Sequence, residues 1–158
     1  MKPKRSLVVD QSLAMAGFAV GEHDPDLPVS YGVRGRLLSR GVLEPGKGDA
    51  VERSAILRTD LIELGRKYAV DELVAEDTRY IAQKSANTNH SMALALAAVQ
   101  GAARALGVPT YYQNPSSIKA DAAGDGKADK DAMKAAARTL WGVANLADDN
   151  EADALCGL

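Results

Sequence analysis

Ser6-Leu-Val-Val-Asp10-Gln-Ser-Leu-Ala-Met-Ala16-Gly-Phe-Ala-Val20 is the stretch on which the reading of the chain turns. Ser6–Asp10 is a β-rich apolar run that ends on a carboxylate. A turn follows at Gln11 and Ser12, and Ala16–Val20 is a second apolar run, so the segment predicts two paired strands. A lone Asp ahead of a turn is ordinarily a turn former bonded to its own backbone. Here two further acids share its surroundings: Glu76 closes the apolar run Leu73-Val-Ala75, and Asp153 sits within Ala152-Asp-Ala-Leu155. Carboxylates beside buried segments are costly unless compensated. A divalent cation held between the three would compensate them, because hard cations take oxygen ligands. The trio therefore points to metal-assisted phosphodiester chemistry.

The elements around these acids follow from periodicity and turn chemistry. A third strand is expected near Tyr31–Leu38, after the turn Asp24-Pro-Asp-Leu-Pro28, completing an antiparallel meander. Residues 44–49 carry Pro45, Gly46 and Gly48 and form a loop. Ala50–Tyr68 then shows helical spacing of Ile56, Leu57, Leu61, Ile62 and Leu64. Glu72–Glu76 reads as a strand buried on both faces, as in the parallel part of a sheet. Asn89–Leu106 is an alanine-rich helix with Gly107 as C-cap, followed by a strand over Pro109–Gln113. On that helix Ala93, Ala97, Gly101 and Ala105 recur every four residues; close approach to the sheet explains the smooth face, and a helix from a second subunit is the alternative. Pro115–Ala120 is a short helix, Ala122–Lys127 a loop and Asp129–Trp141 a helix, with Asp148 or Asp149 capping a last helix through Leu158. The order predicts an α/β fold: a mixed five-stranded sheet with helices on both faces, of the ribonuclease H-like kind, which carries acids at these three places.

Composition is compatible with this. A chain of 158 residues with 46% hydrophobic content suits one domain over residues 1–158. Nineteen Lys and Arg against 21 Asp and Glu leave a formal charge of −2, which neither favours nor excludes nucleic acid. Distribution says more. Several acids (Asp10, Glu76, Asp77, Asp148, Asp149, Glu151, Asp153) belong to or border the expected metal cluster, while basic residues gather at Arg34, Arg36 and Arg40 and at Lys119, Lys127, Lys130, Lys134 and Arg138. The single Cys156 excludes a disulfide within the chain and fits a reducing compartment, with apolar packing as its role. The basic Met1–Arg5 precedes an apolar run too short for a signal peptide or membrane span, so a soluble, cytoplasmic protein is expected. His23 and His90 have no partners at zinc-ligand spacing.

The segments around the acids resemble those of the RuvC-type Holliday-junction resolvases, the crossover junction endodeoxyribonucleases. Leu7–Val20 resembles the family's opening pattern of hydrophobic residues, Asp, turn, Gly and aromatic. Val74-Ala-Glu76 resembles its fourth-strand glutamate segment. Pro115–Lys119 and Gly124–Lys130 resemble a proline-to-lysine segment and a glycine-rich loop with a second lysine, and Glu151–Leu155 resembles the terminal Ala-Asp-Ala-Leu motif. The matches run in order from about residue 6 to residue 158.

The resemblance implies a magnesium-dependent endonuclease, with manganese as a substitute, that cuts four-way DNA junctions by paired symmetric nicks as a homodimer, in a bacterial or phage-infected cell. Asp10 would be shared by two ions per site, with Glu76 and Asp153 completing the pocket. A fourth carboxylate is expected one helical turn before Asp153; Asn150 stands there instead, so Asp149, four residues before Asp153 on the same helix face, would take the role, with the Asn150 carbonyl oxygen as the alternative. Lys119 and Lys130 would support catalysis or contact the DNA backbone, Lys84 and Lys127 would contact DNA, and Tyr80 would stack on an unpaired base. Gln11-Ser12 stands where many bacterial resolvases carry Pro-Gly, which suggests a divergent, phage-type branch. Another nuclease of the same fold acting on hybrid or flapped substrates, and a junction-binding protein with a defective pocket, are the rival readings.

Overall fold

The computed structural model describes residues 2–24, 35–78 and 85–158. Ten elements follow one another: β1 (Lys4–Asp10), β2 (Ala16–His23), β3 (Arg36–Leu43), α1 (Ala50–Tyr68), β4 (Glu72–Glu76), α2 (Ala86–Leu106), β5 (Thr110–Gln113), α3 (Pro115–Ala123), α4 (Lys130–Trp141) and α5 (Asp149–Gly157). The strands form one sheet in the order β3-β2-β1-β4-β5, antiparallel through β3, β2 and β1, then parallel from β1 to β4 and β5. The mixed ribonuclease H-like sheet expected from the sequence is thus present.

β2 ends at His23 rather than Val20, α2 starts at Ala86 rather than Asn89, and α3 runs to Ala123 rather than Ala120; two larger differences concern β3 and the buried face of α2. β3 starts at Arg36 and continues to Leu43, five residues past the expected end, and the expected start at 31–34 lies outside the described residues. Ala16–Leu43 pairing sets its length: β3 follows β2 down to the β1–β2 turn. The second difference concerns α2. Its buried residues are Ala95, Ala98, Val99, Ala102 and Ala103, whereas Ala93, Ala97 and Ala105 are exposed. The small-residue stripe therefore does not mediate approach to the sheet. Gly101, on its margin, lies against the Arg58 side chain of α1 instead.

Strand alternation divides the core in two. Leu7, Val9, Phe18, Val20, Leu73 and Ala75 point to α1 and α2 and build the larger apolar cluster. Ala19 points to the opposite face, where Met133, Ala137, Ala152, Leu155 and Cys156 cover it from α4 and α5. Cys156 is the buried packing residue expected of it, its thiol 3.6 Å from the Met133 carbonyl. Local signals fix the helix ends. Asp49 caps α1 with a capping box to Glu52, and Asp129 and Asp148 accept from the first turns of α4 and α5. Gly107, Gly124 and Gly142 end α2, α3 and α4 in the left-handed conformation.

α5 lies directly on the sheet because glycines leave it room. A Cβ on Gly17 would stand 1.9 Å from the Asn150 carbonyl oxygen, and one on Gly21 would stand 2.5 Å from the Leu158 side chain. At the far end of the helix, Gln113 donates to the Gly157 carbonyl at 2.8 Å and the Trp141 indole donates to the Leu155 carbonyl at 2.8 Å. Gly17→Ala is expected to force α5 off the sheet against backbone. That should cost about 3 kcal/mol, the upper end for overpacking, and reduce cleavage with it. A urea midpoint and nicking rate equal to those of the parent would contradict this.

Candidate active site

Register brings the first two acids together. β1 and β4 run parallel, with Val9 opposite Ala75 as the last pair, so Asp10 and Glu76 are the next residues on adjacent strands. Neighbouring strands lie about 4.8 Å apart. Both residues are in phase with Val8 and Val74, on the face away from α1 and α2. Asp10 also pairs with Gly17 of β2, and Glu76 with Gln113 of β5. One row across the sheet therefore reads Gly17, Asp10, Glu76, Gln113. α5 rests on the glycine at one end of this row and is held by the glutamine at the other, which suspends Asp153 above the two acids. Asp10, Glu76, Asp153 and Lys119 line one cavity of about 40 Å³ together with Gln113. That volume accommodates one or a few water-sized occupants.

The electrostatics are those of crowded acids. Burial pushes the Asp10 carboxyl well above the usual carboxylate range, and the neighbouring charges of Glu76 and Asp153 push it further. Glu76 stands close enough to raise the Asp10 carboxyl both through its charge and through their side-chain contact. Asp153 is raised too, again chiefly by burial, with Lys119 opposing the shift. Among the described residues no three Asp, Glu, His or Cys side chains stand at metal-ligand geometry. The three acids are neighbours around a cavity, and their donor set of carboxylate oxygens suits a hard divalent cation.

The other expected residues are distributed around this centre. Asp149 is ion-paired with Lys130 at 2.6 Å and Lys134 at 2.5 Å, which lowers its carboxyl and raises Lys130. The Asn150 side-chain amide donates to the Met15 carbonyl. Neither of the two lines the cavity. Lys127 is exposed on the loop before α4. Tyr80 and Lys84 lie outside the described residues.

Glu151 is structural. It is 1% exposed, takes the Arg40 guanidinium of β3 on one oxygen at 2.5 Å, and accepts the Ala147 backbone amide on the other. Arg40, grouped by sequence with a basic patch, is thus a partner inside the fold.

Gln11, which the sequence marks only as a turn residue, organises Glu76. Its amide nitrogen donates to the Glu76 carbonyl at 2.8 Å, and its amide oxygen accepts from the Glu76 N–H at 3.0 Å. This clamp continues the β1–β4 ladder one step past its last backbone pair. The available signal was the departure from Pro-Gly at Gln11-Ser12, since a Pro side chain offers no such amide. Groups that orient a ligand typically contribute 10–100-fold to metal affinity or activity. Gln11→Ala should therefore raise the magnesium concentration needed for half-maximal nicking by about 10-fold or more. An unchanged magnesium titration in single-turnover cleavage would count against it.

A mixed sheet with acids on its first and fourth strands and on its last helix defines a ribonuclease H-like fold. No family model matches the chain. It is, however, 26% identical over 151 residues to the crossover junction endodeoxyribonuclease RuvC of Halothermothrix orenii, spanning 94% of this chain and 86% of that one. Thermus thermophilus RuvC superposes with a TM-score of 0.77 at 23% identity, covering 96% of this chain and 89% of that one. The same enzyme in complex with Holliday junction substrate gives 0.80 at 23% identity, over 97% and 89%. The yeast mitochondrial Holliday junction resolvase gives 0.55 at 12% identity, over 98% and 77%. In sequence and fold together, along nearly its whole length, the chain is similar to RuvC proteins.

Proposed function

We propose that this protein is a metal-dependent, structure-selective endonuclease that resolves four-way DNA junctions by paired symmetric nicks. The observation that carries this reading is the meeting of Asp10, Glu76 and Asp153 around one cavity beside Lys119, in a chain similar to RuvC proteins. Asp10, Glu76 and Asp153 would hold the magnesium ions, Asp10 as the central ligand, and Asp149 or Asn150 would serve as a fourth donor on release from its present partners. Bound magnesium, or manganese in its place, supplies charge relief at phosphorus and an activated water.

The chain's own residues do the rest. Gln11 fixes the Glu76 backbone, and α5 sets the height of Asp153 above the sheet. Lys119, in the cavity wall, neutralises the scissile phosphate as a compact point charge. Lys130 supports catalysis once DNA competes with Asp149 for it. Lys84 and Lys127 contact the DNA backbone, and Tyr80 stacks on an unpaired base at the branch. Paired incision requires two sites, so the active form is a homodimer, with the exposed Ala93, Ala97 and Ala105 face of α2 at the contact.

Cleavage of a synthetic four-way junction against a flap and an RNA–DNA hybrid, each with and without magnesium, tests the reading. Magnesium-dependent paired nicks in the junction alone are expected. Preferential cutting of the hybrid or the flap would replace this function with that of another nuclease on the same fold. A second reading, a junction-binding protein with weak catalysis, is favoured by the engagement of Asn150 with Met15 and of Asp149 with two lysines. Tight junction binding without metal-dependent nicking is its signature.

A further inference from the structure

A larger cleft, of about 360 Å³, adjoins the acid cavity and shares Glu76 with it as a wall. One side is the β1–β2 turn with Leu13, the other is the start of α2 with Thr88 and Ser91, and Arg53 of α1 lines it between them.

Arg53 is placed where neither helix stability nor an ion pair explains it. It lies in the first turns of α1, where the helix dipole disfavours a cation. Among the described residues no carboxylate pairs with it. Its Nε is buried without a hydrogen-bond partner, and its Nη1 reaches only the Leu13 carbonyl, at 3.3 Å. A guanidinium has five donors in a planar fork that matches phosphate oxygens. Most of that capacity is unused here, at the edge of a cleft whose opposite wall adds two hydroxyls, whose turn side adds the polar Gln11 and Ser12, and where Leu13 and Met92 offer apolar surface to a sugar.

We propose that this cleft is a phosphate subsite for the cleaved strand, in which Arg53 grips a backbone phosphate neighbouring the scissile one. The inference rests on the nuclease reading above, because Glu76 joins the two cavities. Arg53 thereby sets how the strand enters the acid centre, and it acts on strand position without touching the reacting atoms.

The test is the salt dependence of junction binding, measured without magnesium for the parent, Arg53→Gln and Arg53→Lys. Each phosphate contact contributes about 0.9 to the slope of log K against log salt on duplex DNA. The Gln variant is expected to lose about one such unit per bound protomer, and the Lys variant to keep it. A single neutral methylphosphonate, walked through the phosphates flanking the nick, should weaken binding by the parent at one position and leave Arg53→Gln indifferent there. This arm also holds on the parent alone should the variant fail to fold. Equal slopes for parent and Gln variant, or no sensitive phosphate in the parent, would overturn the subsite. Failure of the nuclease reading looks different: the parent would bind or cut four-way junctions no better than plain duplex, whatever Arg53 does.

Discussion

Asp10→Asn is expected to reduce junction cleavage by at least about 10²–10³-fold, the scale for removing one preorganised charge-stabilising group, while making the metal-free protein more stable. The two effects have one origin. In the folded chain Asp10 and Asp153 hold protons more tightly than they do unfolded, mainly because they are buried and next to other acids. Their contribution to stability is therefore fully present below the unfolded carboxylate range and is lost as pH rises through the folded values. At neutral pH the metal-free site opposes folding, and a bound cation would reverse that. The parent should accordingly melt higher at about pH 5 than at about pH 8 without metal, and magnesium should flatten the difference. Asn at position 10 removes one charge from the cluster, so the pH slope and the magnesium-induced rise in Tm should both shrink while junction binding persists. Calorimetry at two pH values with and without magnesium, beside a nicking assay, measures all of this. A variant that nicks like the parent would remove Asp10 from the site, and a variant less stable than the parent without metal would contradict the account of crowded acids.

Arg40→Met is the second large effect, and it falls on stability. Glu151 is among the most deeply buried charged groups described, and its guanidinium partner is the cation that offsets its desolvation. Removing one member of a buried pair costs about 3–5 kcal/mol, because the remaining charge is stranded. At about 2–4 °C per kcal/mol for a domain of this size, the melting temperature should fall by roughly 6–20 °C. The double variant Arg40→Met, Glu151→Leu should recover most of the loss, since an apolar replacement of a whole pair is often neutral or stabilising. If the double variant were as unstable as the single one, packing around Arg40 rather than its charge would be responsible. Because the pair ties β3 to α5, cleavage should decline in the single variant as well.

Apolar runs that end on Asp10 and Glu76 are legible in the sequence, and of Asp148 and Asp149, the two residues expected to cap the last helix, Asp148 does so. What failed was information held across strands. β3 is partly buried along its length and lacks clean alternation, so only pairing with β2 fixes where it runs. The Ala93–Ala105 repeat has the right period for a packed face, but the neighbouring Ala95, Ala98 and Ala102 are equally small, and composition cannot say which stripe turns inward. Gln11 and Arg40 act through partners 65 and 111 residues away, separations at which no local pattern exists.

The third acid rides on an element made long after the strands beneath it. Translation yields the paired aspartate and glutamate early, but α5 can settle into its glycine bed only once residues beyond Gly142 have left the ribosome. A nascent chain with its sheet already formed thus carries two of the three acids, and the trio is complete only when α5 docks.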